Sequence, residues 1–159
     1  MSLSSLYSNL NYYNSQVSYW QTSASQYSAQ IATLDGEIAD REAQRELAVT
    51  AKSKCSDMTP ANDEVKQGFA NLGTEANNSV EVPDCETAAK QLCSANEGHI
   101  NEAVSAAQAL IDKLDGEIAD LRSQRALAVE GRDYSNGRAE MYRGYAASTR
   151  TAIANYSED

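Results

Sequence analysis

Few side chains in this sequence combine metal-binding or redox chemistry with proximity along the chain: Cys55, Cys85, Cys93 and the single histidine, His99. A Cys₃His zinc site would need all four, but their separations of 30, 8 and 6 residues match no structural zinc knuckle. Buried free thiols are the first reading of the cysteines. The second is a disulfide of Cys55 with Cys85 or with Cys93, formed only in an oxidising space. The carboxylates Asp35 and Glu37, like Asp115 and Glu117, stand two apart on helical stretches and so point in different directions. They read as solvated faces and not as an acid–base pair. No GxSxG, HExxH, CxxC, glycine-rich phosphate loop or EF-hand loop occurs. The expected class is therefore not an enzyme, with no cofactor and no metal.

Composition narrows the class further. The 159 residues fit one domain and carry a net charge of -10. That charge argues against nucleic acid and anionic membrane surfaces, since phosphate binding needs a cationic face. Mean hydropathy is -0.56, and no run of about eighteen apolar residues exists to insert into a membrane. The opening MSLSSLYSNLNYYNSQV has neither a basic stretch nor an apolar core, so no secretory signal peptide is expected. The expected location is the cytoplasm, with any export by a route for folded proteins.

Two stretches of heptads organise the rest. Leu3, Leu6, Leu10, Tyr13, Val17, Trp20, Ala24, Tyr27, Ile31, Leu34 and Ile38 alternate steps of three and four without a break, the mark of a coiled-coil seam. With Leu3 at a, the register continues through Arg41 (d), Arg45 (a) and Ala48 (d), where the seam turns polar. A second register runs through Ile100, Val104, Ala107, Ile111, Leu114, Ile118 and Leu121. It weakens at Arg125, Ala128, Arg132 and Ser135, then resumes at Ala139, Tyr142, Ala146, Ile153 and Tyr156. The expected fold is all-α: an elongated antiparallel helical hairpin of coiled-coil type, one domain over 1–159. Helix 1 is expected over about 3–52 and helix 2 over about 98–155, joined by a partly helical 45-residue connector, 53–97. Within the connector, Thr59 reads as an N-cap with Pro60 at the first helical position, 77–83 as a linker, and a second short helix follows Asp84, either separate or running on into helix 2.

The two heptad stretches share an internal repeat. Ile31–Val49 and Ile111–Val129 are identical at thirteen of nineteen positions, at an offset of 80 and in the same heptad phase. Folding back antiparallel would face residues whose numbers add to about 155 and set one LDGEIAD against the other. Tyr7, Tyr12, Tyr13, Tyr19, Trp20 and Tyr27 would then lie beside Tyr134, Tyr142 and Tyr145, with Arg132, Arg138 and Arg143 in stacking reach. A parallel homodimer with the middle looped out is the alternative. Gly36 and Gly116 fall mid-helix at f, away from the seam. Ala32, Gly36, Ala39 and Ala43 form a smooth stripe that reads either as a groove for a third helix or as tolerated surface residues kept from the duplication. The first charged side chain is Asp35. Residues 2–34 hold Ser, Asn, Gln, Thr, Tyr and apolar residues only, a composition that desolvates cheaply and suits an interface with another helix.

A Ser/Leu-rich start, a long heptad helix, a middle segment with an aromatic–glycine turn and a second long helix ending in small and Tyr residues together resemble the helical partner proteins of type VII secretion. The chain is most similar to the small YwqH-like proteins associated with LXG toxins, and more distantly to WXG-type hairpins. The turn here reads Gln67-Gly68-Phe69 and Leu72-Gly73 where those hairpins have Trp-x-Gly, and the sole Trp lies in helix 1. No Tyr is followed four residues on by an acid, so the C-terminal export signal of those relatives is missing. The resemblance implies a non-enzymatic adaptor or chaperone, exported, if at all, through a type VII system. It would bind the N-terminal helical domain of a toxin, or a second small helical protein, through Leu10, Tyr13, Val17, Trp20, Tyr27, Ala32, Gly36, Ala39, Ala43 and Gly116. A self-assembling structural coiled coil, a homodimer in the simplest case, is the competing expectation.

Overall fold

Ser2 opens the first helix as its cap: its hydroxyl oxygen accepts from the Ser5 amide at 3.2 Å, satisfying one of the donors that a helix start leaves bare. The computed structural model describes residues 2–75 and 82–156, and side chains outside 72–86. Three helices make up the described chain: α1 (Leu3–Ser56), α2 (Met58–Glu75) and α3 (Val82–Ala154). Among the described residues there is no strand, and no helix is long and apolar enough to cross a membrane. The architecture is an all-α antiparallel hairpin, with α1 and α2 forming one side against α3.

The helices run further than heptads of apolar residues could show. Helix 1 ends at Ser56, not near 52, and the second long helix begins at Val82, not near 98. The expected cap at Thr59 moves as well: α2 starts at Met58, behind Asp57, a residue type favoured ahead of a helix. Pro60 and Pro83 both fall in a first turn, where a missing N–H is harmless. Residues 77–81 of the expected linker lie outside the described residues. The seam phase persists through this polar stretch, because Lys52, Cys55, Thr59, Asn62 and Lys66 are each half-buried at the positions the heptad predicts.

The chain divides into two compact units. Unit 1 joins Met1–Ala39 to Ala119–Asp159; unit 2 is Asp40–Ile118. In unit 1, every a and d position of α1 from Leu3 to Ile38 is buried or half-buried. Large side chains of α1 lie over small ones of α3. Ile31 and Leu34 cluster with Ala128, flanked by Tyr27, Leu121 and Val129. Ala139 and Ala146 are 2% exposed, and Ser135 is 1% exposed. Ser135 donates to the carbonyl of Gly131 at 2.8 Å, so its oxygen is left to accept from Ser23 at 3.1 Å. The buried hydroxyl is thus fully used. In unit 2 the seam is held by Ala48, Ile111, Leu114 and Ile118, all buried, and by polar bridges. Lys52 Nζ donates to Gln108 Oε1 at 2.6 Å, and Asn62 Nδ2 to the Cys93 carbonyl at 2.9 Å. Tyr156, expected in the seam, is exposed because α3 ends at Ala154.

Candidate functional site

The internal repeat builds two matching ionic clamps. In unit 1 Arg125 donates to Asp35 through Nε and Nη2. In unit 2 Arg45 donates to Asp115 through the same two nitrogens. The offset of 80 turns one clamp into the other, since Asp35 corresponds to Asp115 and Arg45 to Arg125. Arg at an a position reaches across to Asp at e on the facing helix, and the two-pronged geometry gives directional specificity. Each guanidinium has its pKa raised by the hydrogen bond and charge of its Asp. These contacts correct the expected register. Facing residue numbers add to about 160, roughly one turn from the expected 155, and each LDGEIAD faces the arginine-bearing half of the other copy instead of its twin. A third bridge, Arg41 to Glu117 at 2.7 Å, has no counterpart, because the repeat has Leu121 where Arg41 would recur.

The aromatic residues of unit 1 meet largely as their sequence positions suggest. Tyr13 packs on Tyr142 and Tyr145, with ring centroids 6.2 and 5.5 Å apart. Trp20 meets Tyr134 edge to face at 5.6 Å. Of the three arginines expected at the rings, Arg138 takes the position. Its guanidinium lies 5.6 Å from the Trp20 ring centre and 5.3 Å from that of Tyr142, and it donates to the Tyr142 hydroxyl. Arg132 and Arg143 instead pair along their own helix with Asp133 and Glu140. Beside the stack, the buried Trp20 Nε1 and Arg138 Nε have no acceptor, a local cost that the ring contacts offset. The Tyr27 ring packs against Gly131, where a Cβ would come within 2.6 Å of it.

The residues expected to meet a partner fall into two groups. Leu10, Tyr13, Val17, Trp20 and Tyr27 are half-buried, committed to the seam with α3. Ala32, Gly36, Ala39, Ala43 and Gly116 are exposed, and nothing lies within 4 Å of a Cβ placed on Gly36 or Gly116. Sequence patterning singled out the seam rings and passed over their exposed neighbours. Tyr12, Tyr19, Leu127 and Tyr134 stand at c positions and Tyr145 at g, all on one flank of their helices and all exposed. Many of the hydroxyls on these helices bond to their own backbone. The hydroxyls of Ser18, Thr22, Ser28 and Thr33 donate to carbonyls one turn back on α1, and Ser148, Thr149 and Thr151 do the same on α3. On the opposite flank of unit 1 a polar groove of about 340 Å³ is lined by Gln21, Ser25, Ser28, Asn136, Glu140 and Arg143 among others.

Among the described residues the cysteines are free thiols. Cys93 is a buried free thiol and Cys55 a half-buried one; the side chain of Cys85 lies outside the described residues. His99 is exposed, 3.6 Å from Glu102 on its own helix. Among the described residues no three His, Cys, Asp or Glu side chains converge as a metal ion would require. No protein-family model, curated protein or solved structure matches the chain.

Proposed function

We propose that this protein is a non-catalytic adaptor that docks the helical targeting domain of a type VII-secreted toxin and accompanies it to the secretion machinery. The observation that carries the protein-binding part is the row of exposed rings in unit 1: Tyr12, Tyr19, Tyr134 and Tyr145 on one flank of a seam that is already filled. Exposed rings gathered on one face, with a wet hydroxyl and an apolar body, suit a surface that is covered part of the time. The Thr33 and Ser148 hydroxyls on the same flank already have acceptors, so covering them forfeits little hydrogen bonding with water. The small stripe at Ala32, Gly36 and Ala39 offers close helix approach on a second face. The toxin as partner rests on the resemblance of architecture alone.

The test is capture of bound proteins by the tagged chain in its native host. A single toxin with an N-terminal helical domain is the expected prey. It should be lost from Tyr19→Ser/Tyr134→Ser or from Gly36→Leu while helicity measured by circular dichroism is unchanged. A pure chain that forms a stable symmetric oligomer and captures nothing would replace this reading with that of a self-assembling coiled coil.

A further inference from the structure

Unit 2 carries an apolar surface that its seam does not use. Leu47, Met58, Val65, Leu92 and Leu110 are between 47% and 71% exposed. Continued through α2, the heptad register places Leu47 at c and Met58 and Val65 at g on one side of the unit. On α3 it places Leu92 at c and Leu110 at g. In an antiparallel pair the g flanks of both helices line the same groove. The cross-links from Lys52 to Gln108 and from Asn62 to Cys93 bracket the pairing. Met58 and Val65 lie beside Asn96, His99 and Ile100, with Leu47 toward the Leu110 end of the groove and Leu92 at the other. There the groove opens to about 390 Å³, lined by Met58, Ala61, Val65, His99 and Ile100. Single exposed leucines are ordinary, but three exposed apolar side chains on one wall of a groove, Leu47, Met58 and Val65, with two more on the other, Leu92 and Leu110, are not.

We propose that this groove binds one amphipathic helix of a partner protein, about five turns long, with an apolar stripe flanked by Lys and Arg. The length follows from the distance between the Leu47 and Val65 steps, about 27 Å at 1.5 Å per residue. The flanking charge follows from the rim. The f positions that would border a third helix hold Asp57 and Glu64 on α2 and Glu102 on α3, against two lysines at c, Lys54 and Lys113, the second of them 3.6 Å from Glu117, so the rim is acidic on balance. Charge also decides against a second copy of this chain as the occupant. Residues 40–118 contain fifteen Asp or Glu and seven Lys or Arg, a balance of −8, so two such faces brought together repel. The inference rests on the protein-binding reading above and names a separate face and the chemistry of its ligand.

The probe is a synthetic helical peptide of about 18 residues with a leucine stripe flanked by Lys, and a twin flanked by Glu. Binding to the full-length chain is measured by fluorescence anisotropy of labelled peptide. The Lys-flanked peptide is expected to bind. Met58→Gln/Leu92→Gln, which changes no charge, should weaken it by about ten-fold or more. The Glu twin should bind more weakly by a similar factor. Circular dichroism of the double variant checks that its helices are intact; both positions are exposed, so loss of fold is not expected. Equal binding by the double variant, equal binding of the two peptides, no binding of the Lys-flanked peptide, or a wild-type dimer abolished by the double variant would each overturn the proposal. Tyr19→Ser/Tyr134→Ser should leave peptide binding intact. If only that variant loses the native partner, the adaptor reading stands and the groove proposal falls.

Discussion

Units 1 and 2 are built on one heptad register and one duplicated segment, yet divide the chemistry of the chain between them. All nine Tyr and the single Trp fall in unit 1, whose charged residues nearly balance, with six basic and eight acidic. All three Cys, both Pro, the single His and the single Phe fall in unit 2, which carries −8 of the net −10. The shared seam explains the fold and the difference explains the surfaces. Unit 1 closes its seam with rings over Ala, Gly and Ser and leaves hydroxyl-bearing rings outside. Unit 2 closes its seam partly with Lys52, Asn62 and paired arginines, and leaves aliphatic side chains outside. One set of pairing rules can therefore carry two surfaces of different chemistry.

The sharpest test of the common seam is to delete the same leucine from each unit. Leu34 and its repeat counterpart Leu114 are both buried, 6% and 4% exposed. Leu34→Ala and Leu114→Ala should each cost about 2–4 kcal/mol in urea unfolding, the range for a cavity beneath a buried leucine. If one costs much less than the other, the repeats share sequence but not packing, and the two seams are not equivalent.

Glycines separate the units next. Gly131→Ala places a methyl against the Tyr27 ring, so crowding of about 1–3 kcal/mol should outweigh the helix-propensity gain of about 1 kcal/mol. Removing the ring with Tyr27→Ala should make the same substitution neutral or stabilising. Gly36→Ala and Gly116→Ala meet open space and should each stabilise by about 0.5–1 kcal/mol. Thermal unfolding of these variants, with Tyr27→Ala as the reference for its double, reads all of this. A destabilising Gly36→Ala would mean that the back of α1 is covered.

Much of this fold is legible in the sequence, because the 3–4 alternation from Leu3 to Ile38 and from Ile100 to Leu121 fixes which stripe of each helix is buried. The helical middle is legible only in part. Lys52, Asn62 and Lys66 keep the phase without being apolar, and Pro83 reads as part of a linker although it sits in a first turn, whereas Pro60 marks the start of α2 to within a turn. The reciprocal clamps are half legible. Arg45 and Arg125 announce a polar seam, but Asp35 and Asp115, viewed along their own helix beside Glu37 and Glu117, look like solvated faces. Only the facing helix shows what they bind. The exposed rows escape for the complementary reason: positions c and g become a surface only when the antiparallel partner is in place.

The clamps offer a smaller, directional effect. Asp35→Arg sets like charges together in unit 1 and should lower the melting temperature, less than Leu34→Ala does, because both partners are half-exposed and screened by salt. Adding Arg125→Asp should restore most of the loss by reversing the pair. The same exchange at Arg45 and Asp115 should behave alike in unit 2. Failure of the double exchange to rescue either unit would show that the clamp does not select the register.

The faintest effect lies in unit 1 and depends on pH. The Tyr12 phenol has its pKa raised above its ordinary value of about 10, first by its hydrogen bond with Tyr142 and then by repulsion between the two phenolates. Burial and Tyr13 push the same way, and Arg138 pulls it down. A pKa raised on folding means that the native state holds the proton more tightly than the unfolded chain. The associated stability is whole below the unfolded value and drains away as pH climbs through the folded one. Unit 1 should thus loosen at alkaline pH through Tyr12, a phenol for which unit 2 has no equivalent because it contains no tyrosine. In a spectroscopic titration of tyrosinate absorbance, Tyr142→Phe should move the latest-ionising tyrosine back toward the ordinary range. An unchanged titration curve would remove the Tyr12–Tyr142 contact as a source of the difference between the units.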